Sequence, residues 1–452
     1  MSEGSRRPTL RTARAIFTSF DGAVSEAASC QRPDRYRLVE ADLGRRPRIA
    51  RGGGYSYAAA SFGAGSVVQE MGRFNRILRF DPVTRIIEVE SGVTLGDLLA
   101  FTSRAGLGLA VQPGYPAITV GGCIAADVHG KNPLRDGTFA DSVLDLTLFH
   151  PSLGVLRISP GSSPDIFDLT CGGFGLTGVI LSASLRLQPL LGLRVSVRRI
   201  VVGSPGEALS LARELAGEHL FAYTWHDAAP AGRTFGRGFV YAGSMRPGPI
   251  AAGGVSSRYR ATTPSERARL PFSLWGALTT RALTSAYWHI ERSRPETTET
   301  GLFDAVFPFA RRAAYFRMYG RPGLAECQIL VPHDRASAFL QDLRQLVLSM
   351  RPPSVMLSLK AFHGEPRLLR FQGRGICVTL DLARSPATLA FLHRLDALTL
   401  AADGVPSIVK DSRLPRAVAQ ACYPEYEQFR ERLHAFDAER LYRSELSERL
   451  GL

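Results

Sequence analysis

Lysine is nearly absent from this chain: of 55 basic residues only three, Lys131, Lys360 and Lys410, are lysines. Arginine is a permanently charged fork, whereas lysine is a compact point charge whose pKa can be tuned. A chain that uses arginine almost everywhere for surface charge has few lysines left to be incidental, so these three are candidates for a site. Cysteine is sparse as well. The six (Cys30, Cys123, Cys171, Cys327, Cys377 and Cys422) are scattered and form no CxxC pair. That argues against a zinc ribbon or a thioredoxin-type centre, and no metal is expected. No uninterrupted apolar run reaches 18 residues, so no membrane-spanning helix is expected. The N-terminal stretch M-S-E-G-S-R-R-P-T-L-R has no apolar segment behind its basic residues and does not read as a secretory signal. Internal repeats and low-complexity tracts are missing too. The reducing cytoplasm is the expected compartment.

What is present is positive charge, a formal +14. The basic residues are dispersed as R-R and R-x-R pairs without an aromatic-rich basic run, so no nucleic-acid partner is expected. An anionic membrane surface, touched peripherally at the inner membrane, or a phosphorylated substrate suits the charge equally well. At 452 residues, with 45% apolar and 21% charged residues, the chain is expected to be globular and to hold two domains.

Residues 1–190 alternate short strand-like runs, glycine-rich turns and helical stretches. I-I-E-V-E-S-G-V at 86–93 reads as a strand. T-L-G-D-L-L-A-F-T-S-R-A-G reads as a capped helix ending at Gly106. D-S-V-L-D-L-T-L-F-H and G-V-L-R-I-S read as a hairpin, and 172–189 as a glycine turn leading into a long alternating strand. Residues 191–405 alternate strand and helix in the manner of an antiparallel sheet backed by helices. The segment 244–300, rich in Pro, Arg, Ser and Thr, reads as a mobile loop. Residues 406–452 read as a charged helical tail without a core of its own, returning to the first domain.

Three glycine motifs carry chemistry. Arg51-Gly52-Gly53-Gly54-Tyr55-Ser56-Tyr57 follows a strand and is a candidate backbone nest for a pyrophosphate. Its spacing is not G-x-G-x-x-G, so the Rossmann fingerprint fails. Taken alone, it is also an ordinary glycine turn. Val120-Gly121-Gly122 opens a run that reaches Asp127, His129, Gly130, Lys131 and Asn132. Paired glycines let backbone amides approach a bulky anion, and the polar residues behind them offer acid/base groups. The third motif is Gly172-Gly173-Phe174-Gly175-Leu176-Thr177-Gly178-Val179-Ile180.

In this order and at these separations, the three motifs resemble the FAD-binding domain of the vanillyl-alcohol-oxidase superfamily, the PCMH type. Further stretches narrow the resemblance to the decaprenylphosphoryl-β-D-ribose 2-oxidase family. They are H-G-K-N at 129–132, Y-T-W-H-D at 223–227, Q-I-L-V-P at 328–332, G-I-C-V at 375–378, and V-K-D-S-R at 409–413 with Tyr423-Pro424 behind it. The similarity runs from about residue 12 to the C-terminus. It implies an α+β fold: a two-subdomain PCMH-type FAD-binding domain plus an antiparallel-sheet substrate (cap) domain with helices. It also implies oxidation of the C2 hydroxyl of a polyprenyl-phosphate-linked pentose by FAD. A separate short-chain reductase would complete the epimerisation that supplies arabinose to the cell envelope.

The resemblance further implies roles. Cofactor contacts fall to Arg51, Gly52, Gly53, Gly54, Tyr55, Ser56, Tyr57, Pro113, Gly114, Thr119, Val120, Gly121, Gly122, Ala126, His129, Gly130, Asn132, Gly178, Val179 and Ile180. Lys410 and Lys131 are the catalytic candidates, and Trp225, Gln328, Lys360 and Cys377 face the substrate. Some superfamily members attach FAD through a histidine in the first glycine loop. Tyr55 stands at that position here, so non-covalent FAD is expected. The chain departs from the family at Pro133–Phe139, at His150–Gly154, at Glu326 (often glutamine) and near Ser407 (often tyrosine).

Read singly, several of these residues have plainer roles. His129 fits a structural histidine, Cys377 a core thiol, Trp225 a core aromatic, and Lys410 an ion pair with Asp411. Two other functions stay open: an FAD-dependent oxidase or dehydrogenase of a soluble sugar, alditol or aldonolactone, and a flavin-binding partner subunit that does not turn over.

Overall fold

The computed structural model describes residues 10–40, 44–250, 253–256, 259, 270–310 and 313–452. Three large sheets organise it, with a two-stranded pairing of Leu107–Gly108 and Gln188–Pro189 beside them. A four-stranded sheet places Ala13–Thr18, Ser25–Gln31, Val67–Glu70 and Arg48–Arg51 side by side, the first pair antiparallel and the other two pairings parallel. A five-stranded antiparallel sheet runs Ile77–Asp81, Ile86–Glu90, Val179–Arg186, Val143–His150, Gly154–Ile158. The expected hairpin is the last pair, with Leu146 opposite Ile158.

Local chemistry accounts for the helix between these strands and the second glycine motif. Thr94 caps Leu95–Thr102 by accepting the Asp97 amide at 3.2 Å, worth ~1 kcal/mol. A 3-10 turn follows, and Gly106 ends it at φ +70°. The expected alternation in 172–189 does not hold. In Val179–Arg186 every residue but Arg186 is buried. Val179 and Leu181 pack into one apolar cluster, Ile180, Ala183 and Leu185 into another. A central strand covered on both faces cannot show a period of two in burial.

The cap is an eight-stranded antiparallel sheet in the order Thr297–Gly301, Arg194–Val202, Gly238–Arg246, Phe221–Asp227, Ser354–Phe362, Gly375–Ala383, Leu324–Pro332, Val405–Pro406. Helices Pro205–Glu218, Ala336–Met350 and Pro386–Ala401 cover its outer face. Ala212, Phe339, Leu343 and Phe391 pack there on Ile329, Val378 and Leu380. Alternation leaves Glu326, Gln328, Thr379 and Asp381 on the inner face, so position along each strand decides which residues meet the site.

The segment 244–300 is not a loop where it is described. It holds the end of strand Gly238–Arg246, the helix Ala277–Ser293 and the strand Thr297–Gly301. The helix buries Thr280, Thr284, Trp288 and Glu291, a mostly polar face without aliphatic periodicity. Residues 251–252, 257–258 and 260–269 of that segment lie outside the described residues.

Packing also crosses the expected boundary at residue 190. Leu302, Phe303, Val306 and Phe307 share a core with Leu107, Leu109 and Phe139 of the first domain. Each such buried side chain contributes ~1.5–3 kcal/mol. In the C-terminal segment, Leu414, Tyr426, Phe429, Leu446 and Leu450 join Ile49, Phe62, Leu169 and Phe174. The Arg48 amide donates to Leu441 O at 2.8 Å, so the tail adds hydrogen bonds to the strand that leads into the first glycine loop.

Candidate active site

A cavity of about 750 Å³ separates the glycine loops from the inner face of the cap sheet. Gly52 to Tyr57, Pro113, Gly114, Thr119, Gly121, Gly122, Ala126, Gly178 and Ile180 line one side, and His129, Gly130 and Lys131 join them. Trp225, Gln328, Lys360 and Lys410 line the other. All three lysines face this one space.

The first loop leaves strand Arg48–Arg51 with its amides available. Those of Gly52, Gly53 and Gly54 make no hydrogen bond to other described residues. Gly54 sits at φ +73°, and Arg51's guanidinium fills the space a Cβ would need there. Arg51 itself is not in the cavity wall. It donates to Ser61 Oγ at 2.7 Å and lies 5.1 Å from the centroid of Phe17. It therefore braces the loop from behind, which corrects its expected cofactor contact.

At the second loop, Thr119 caps helix Val120–Ala126. The amides expected to meet an anion are already used: Val120 donates to Val93 O at 2.9 Å, Gly121 to Ser91 O at 2.8 Å and Gly122 to Thr119 Oγ1 at 3.3 Å. The glycines serve as space instead. A Cβ at Gly121 would stand 2.8 Å from Ser91 Cβ, whereas one at Gly122 would meet only Thr119 Oγ1, at 3.2 Å. Gly122 thus keeps part of the cavity wall flat.

Four more expected contacts are corrected. Val120 is fully buried in the core. Val179 packs with Met71, Phe149 and Leu181. Asn132 donates to Ala216 O at 2.7 Å and His219 O at 2.8 Å, so it ties the loop to the end of a cap helix. Cys377 is buried against Leu330, Phe362 and Phe371, and burial pushes its thiol up to about 11. Asp127 is scaffold as well, accepting from the Ala140 amide at 2.9 Å and from Thr138 Oγ1 at 3.0 Å.

The polar centre is a chain of contacts. Lys410 Nζ lies 2.9 Å from Glu326 Oε1 and 3.9 Å from the centroid of the Tyr57 ring. Asp411, its expected ion-pair partner, instead meets Arg413 at 2.9 Å. Gln328 Nε2 donates to Glu326 Oε1 at 2.9 Å. Gln328 Oε1 lies 3.1 Å from His129 Nε2, while His129 Nδ1 lies 2.9 Å from Gly130 O. Burial and then Lys360 pull the imidazole down to about 3. A neutral ring has one N–H, which serves Gln328 or Gly130 but not both.

Lysine charge is costly in this space. Burial, followed by Lys360, brings Lys131 down to about 7, and its Nζ donates to Val306 O. Burial also lowers Lys360. Acids move the other way. Asp381 is raised to about 8 by burial and then by Glu326, while a hydrogen bond from Tyr315 at 2.5 Å opposes the shift. Tyr319 donates to Tyr315 Oη at 2.8 Å.

Asp381, Tyr315 and Ser91 were not among the sequence candidates. A signal existed for Asp381: it lies four residues after Cys377 on one strand, hence on the same face. Tyr315 and Ser91 carry no motif.

The cavity has the features a dinucleotide cofactor needs. Free amides at Gly52–Gly54 suit a pyrophosphate. Gly122 leaves room beside the backbone, and the buried Ser91 Oγ and Trp275 Nε1 on the wall have no hydrogen-bond partner among the described residues. Among the described residues no group of three or more His, Cys, Asp or Glu is placed to hold a metal ion, and no helix is long and apolar enough to cross a membrane.

Comparison with known proteins agrees with this architecture. Residues 38–159 match a family described as FAD binding domain. The chain is 26% identical over 421 residues to decaprenylphosphoryl-beta-D-ribose oxidase of Mycolicibacterium smegmatis, covering 91% of each chain. It is 31% identical to an uncharacterized protein of Streptomyces coelicolor, over 80% of this chain and the whole of the relative. L-gulonolactone oxidase of Mus musculus is 33% identical over 138 residues, 30% of this chain and 31% of the relative.

Proposed function

The chain belongs to the PCMH-type FAD-dependent oxidoreductases that act on CH–OH groups, and we propose that its substrate is a polyprenyl-phosphate-linked pentose. In this proposal the C2 hydroxyl is oxidised to a ketone, the first half of an epimerisation that a separate short-chain reductase completes, in arabinose supply to the cell envelope. The amides of Gly52–Gly54 and the space beside Gly122 would hold FAD without a covalent link, and the bound flavin would supply the hydride acceptor. The observation that carries the proposal is Lys410 Nζ between Glu326 and the Tyr57 ring, in the same cavity as Gln328, His129 and Lys131.

The residues divide the work by charge. An ammonium at Lys410 stabilises the negative charge that develops on the substrate oxygen as its proton leaves. Glu326 Oε1, 2.9 Å from that nitrogen, is the acceptor toward which the proton moves. Gln328, held in turn by neutral His129, donates to the same Glu326 oxygen and fixes it in a network. Lys131 and Lys360 offer donors for the substrate's phosphate and remaining hydroxyls, and a phosphate would favour their charged forms.

A second substrate class is supported by the carboxyl pair Glu326 and Asp381, which both face the cavity. An acceptor at Glu326 beside a protonated Asp381, raised to about 8, suits the adjacent hydroxyls of a polyol, hence a soluble sugar, alditol or aldonolactone. Anaerobic flavin reduction separates the two. Polyprenyl-phosphoryl ribose should bleach the flavin while free sugars and lactones leave it oxidised; the reverse pattern would sink the lipid-linked assignment.

A further inference from the structure

Helix Ala277–Ser293 has two unlike faces. Thr284, Tyr287 and Glu291 point into the cavity wall. The opposite face is apolar and open: Leu278 is 83% exposed and Ile290 55%. Ala282 and Ala286, both exposed, fall between them at intervals of four residues, which places all four on one side of the helix. Leu283, 41% exposed, borders both faces and also lines the cavity, so the cavity opens beside this surface. The preceding segment continues it with Leu270, Phe272 and Leu274, all exposed.

Apolar exposure is concentrated here. Of the fifteen large hydrophobic side chains exposed among the described residues, six lie between residues 270 and 290. The surroundings are basic. Arg281 and Arg292 are exposed on the same helix, and Arg292 stacks on Trp288 at 4.9 Å. The Arg321 amide donates to Leu270 O at 2.7 Å, which sets another arginine beside the apolar segment. The sole acid between residues 270 and 294 is Glu291, which is buried and paired with Arg294 at 2.6 Å. An apolar stripe flanked by cations, without exposed carboxylates, has the build of a helix that lies in a membrane interface. The formal +14 of the whole chain adds long-range attraction to anionic lipid.

We propose that the Leu278–Ile290 face, with Leu270, Phe272 and Leu274, docks on the surface of an anionic bilayer and sets the cavity mouth against it. A substrate with a long apolar chain then keeps that chain in the membrane while its polar head enters the cavity. This extends the lipid-linked substrate proposed above, but the surface itself is measured without any substrate.

The test is flotation of the flavin-loaded protein with vesicles of phosphatidylcholine alone or mixed with phosphatidylglycerol. The protein should float with the mixed vesicles and stay behind with phosphatidylcholine alone. L278E/I290E should lower the floated fraction about tenfold or more, through loss of apolar insertion, at unchanged flavin content. V83E/L400E, which alters exposed apolar residues elsewhere, should float as the unaltered protein does. If the double variant loses flavin, Leu278→Gln alone serves, with the same direction expected. No flotation of the unaltered protein, or equal flotation of L278E/I290E, overturns the proposal. So does a dimer in sedimentation velocity that L278E/I290E dissolves while neither protein floats, since the face would then join two copies. Because no substrate enters the measurement, its failure is distinct from failure of the substrate assignment.

Discussion

Glu326 and Asp381 stand directly opposite each other on neighbouring antiparallel strands, with both carboxyls in one cavity wall. Two buried carboxyls at this spacing resist double ionisation, and here the proton falls to Asp381, raised to about 8. Glu326 has the compensating cation, Lys410 at 2.9 Å. The pair therefore splits into an anchored carboxylate and a protonated neighbour, an arrangement that puts an acceptor and a donor side by side.

Lys410→Ala should leave FAD bound and the fold intact while slowing flavin reduction by substrate at least ~100-fold, the scale of a lost acid/base group. Lys410→Arg should restore little, since a wide planar guanidinium cannot replace a compact ammonium between Glu326 and the Tyr57 ring. Stopped-flow reduction under anaerobic conditions reads both. A wild-type rate in the alanine variant would remove Lys410 from the chemistry.

Asp381 gives a pH signature with a definite sign. Its carboxyl titrates near 4 in an unfolded chain and at about 8 in the folded one. The folded state therefore holds the proton more tightly. This group's favourable contribution is complete below pH ~4 and is lost as pH rises through about 8. Asp381→Asn cannot titrate, so its melting temperature should fall less than that of the unaltered protein between about pH 5 and pH 8. Parallel melting curves across that interval would place the carboxyl at an ordinary pKa.

Gly122→Val should abolish FAD binding in a folded protein. The added branches enter cavity space, because only Thr119 Oγ1 stands near the Cβ position. Flavin content measured against protein concentration checks this, with circular dichroism as the folding control. A full complement of flavin would show that the cofactor lies elsewhere.

The flavin should leave the polypeptide on acid or heat treatment. The family resemblance implies that Tyr55 stands where a covalently attached flavin would need histidine, and its ring packs on Tyr115 at 4.7 Å. Yellow colour retained by the precipitated chain would contradict this.

Cys377 should resist alkylation in the native protein. It is fully buried, and its thiol is raised to about 11, whereas the thiolate is the reactive form. Mass spectrometry after brief iodoacetamide treatment should find it unmodified until the chain is denatured. Rapid labelling of Cys377 in the folded protein would return it to the cavity wall.

Much of the site was legible because it depends on local chemistry. Three glycines after a strand, a threonine cap with a glycine stop, and three lysines among 55 basic residues are visible without any neighbour. So is the hairpin of Val143–His150 with Gly154–Ile158. These features arise from backbone freedom, capping and composition, which act within a few residues. Direction was harder. Val120 and Val179 belong to the right segments but turn into the core, because each strand or helix residue faces the side its neighbours bury, whereas Cys377 keeps the face of Asp381 but is covered by Phe362 and Phe371. Arg51 and Asn132 were polar residues in polar motifs, yet their partners are Ser61 and the carbonyls of Ala216 and His219, the latter two more than 80 residues away in sequence.

The sequence by itself determined the glycine turns, the capped helix after Thr94, the hairpin and which residue types were available for flavin and sugar chemistry. Only the tertiary structure decided that Glu326 meets Asp381, that Lys410 pairs with Glu326 rather than Asp411, and that Tyr315 reaches Asp381. It also decided that Ala277–Ser293 is a helix with one face in the cavity and one in solvent. The physical reason is range. Capping and turn chemistry are settled by adjacent residues, whereas register between strands and the choice of buried face are settled by packing among residues far apart in the chain.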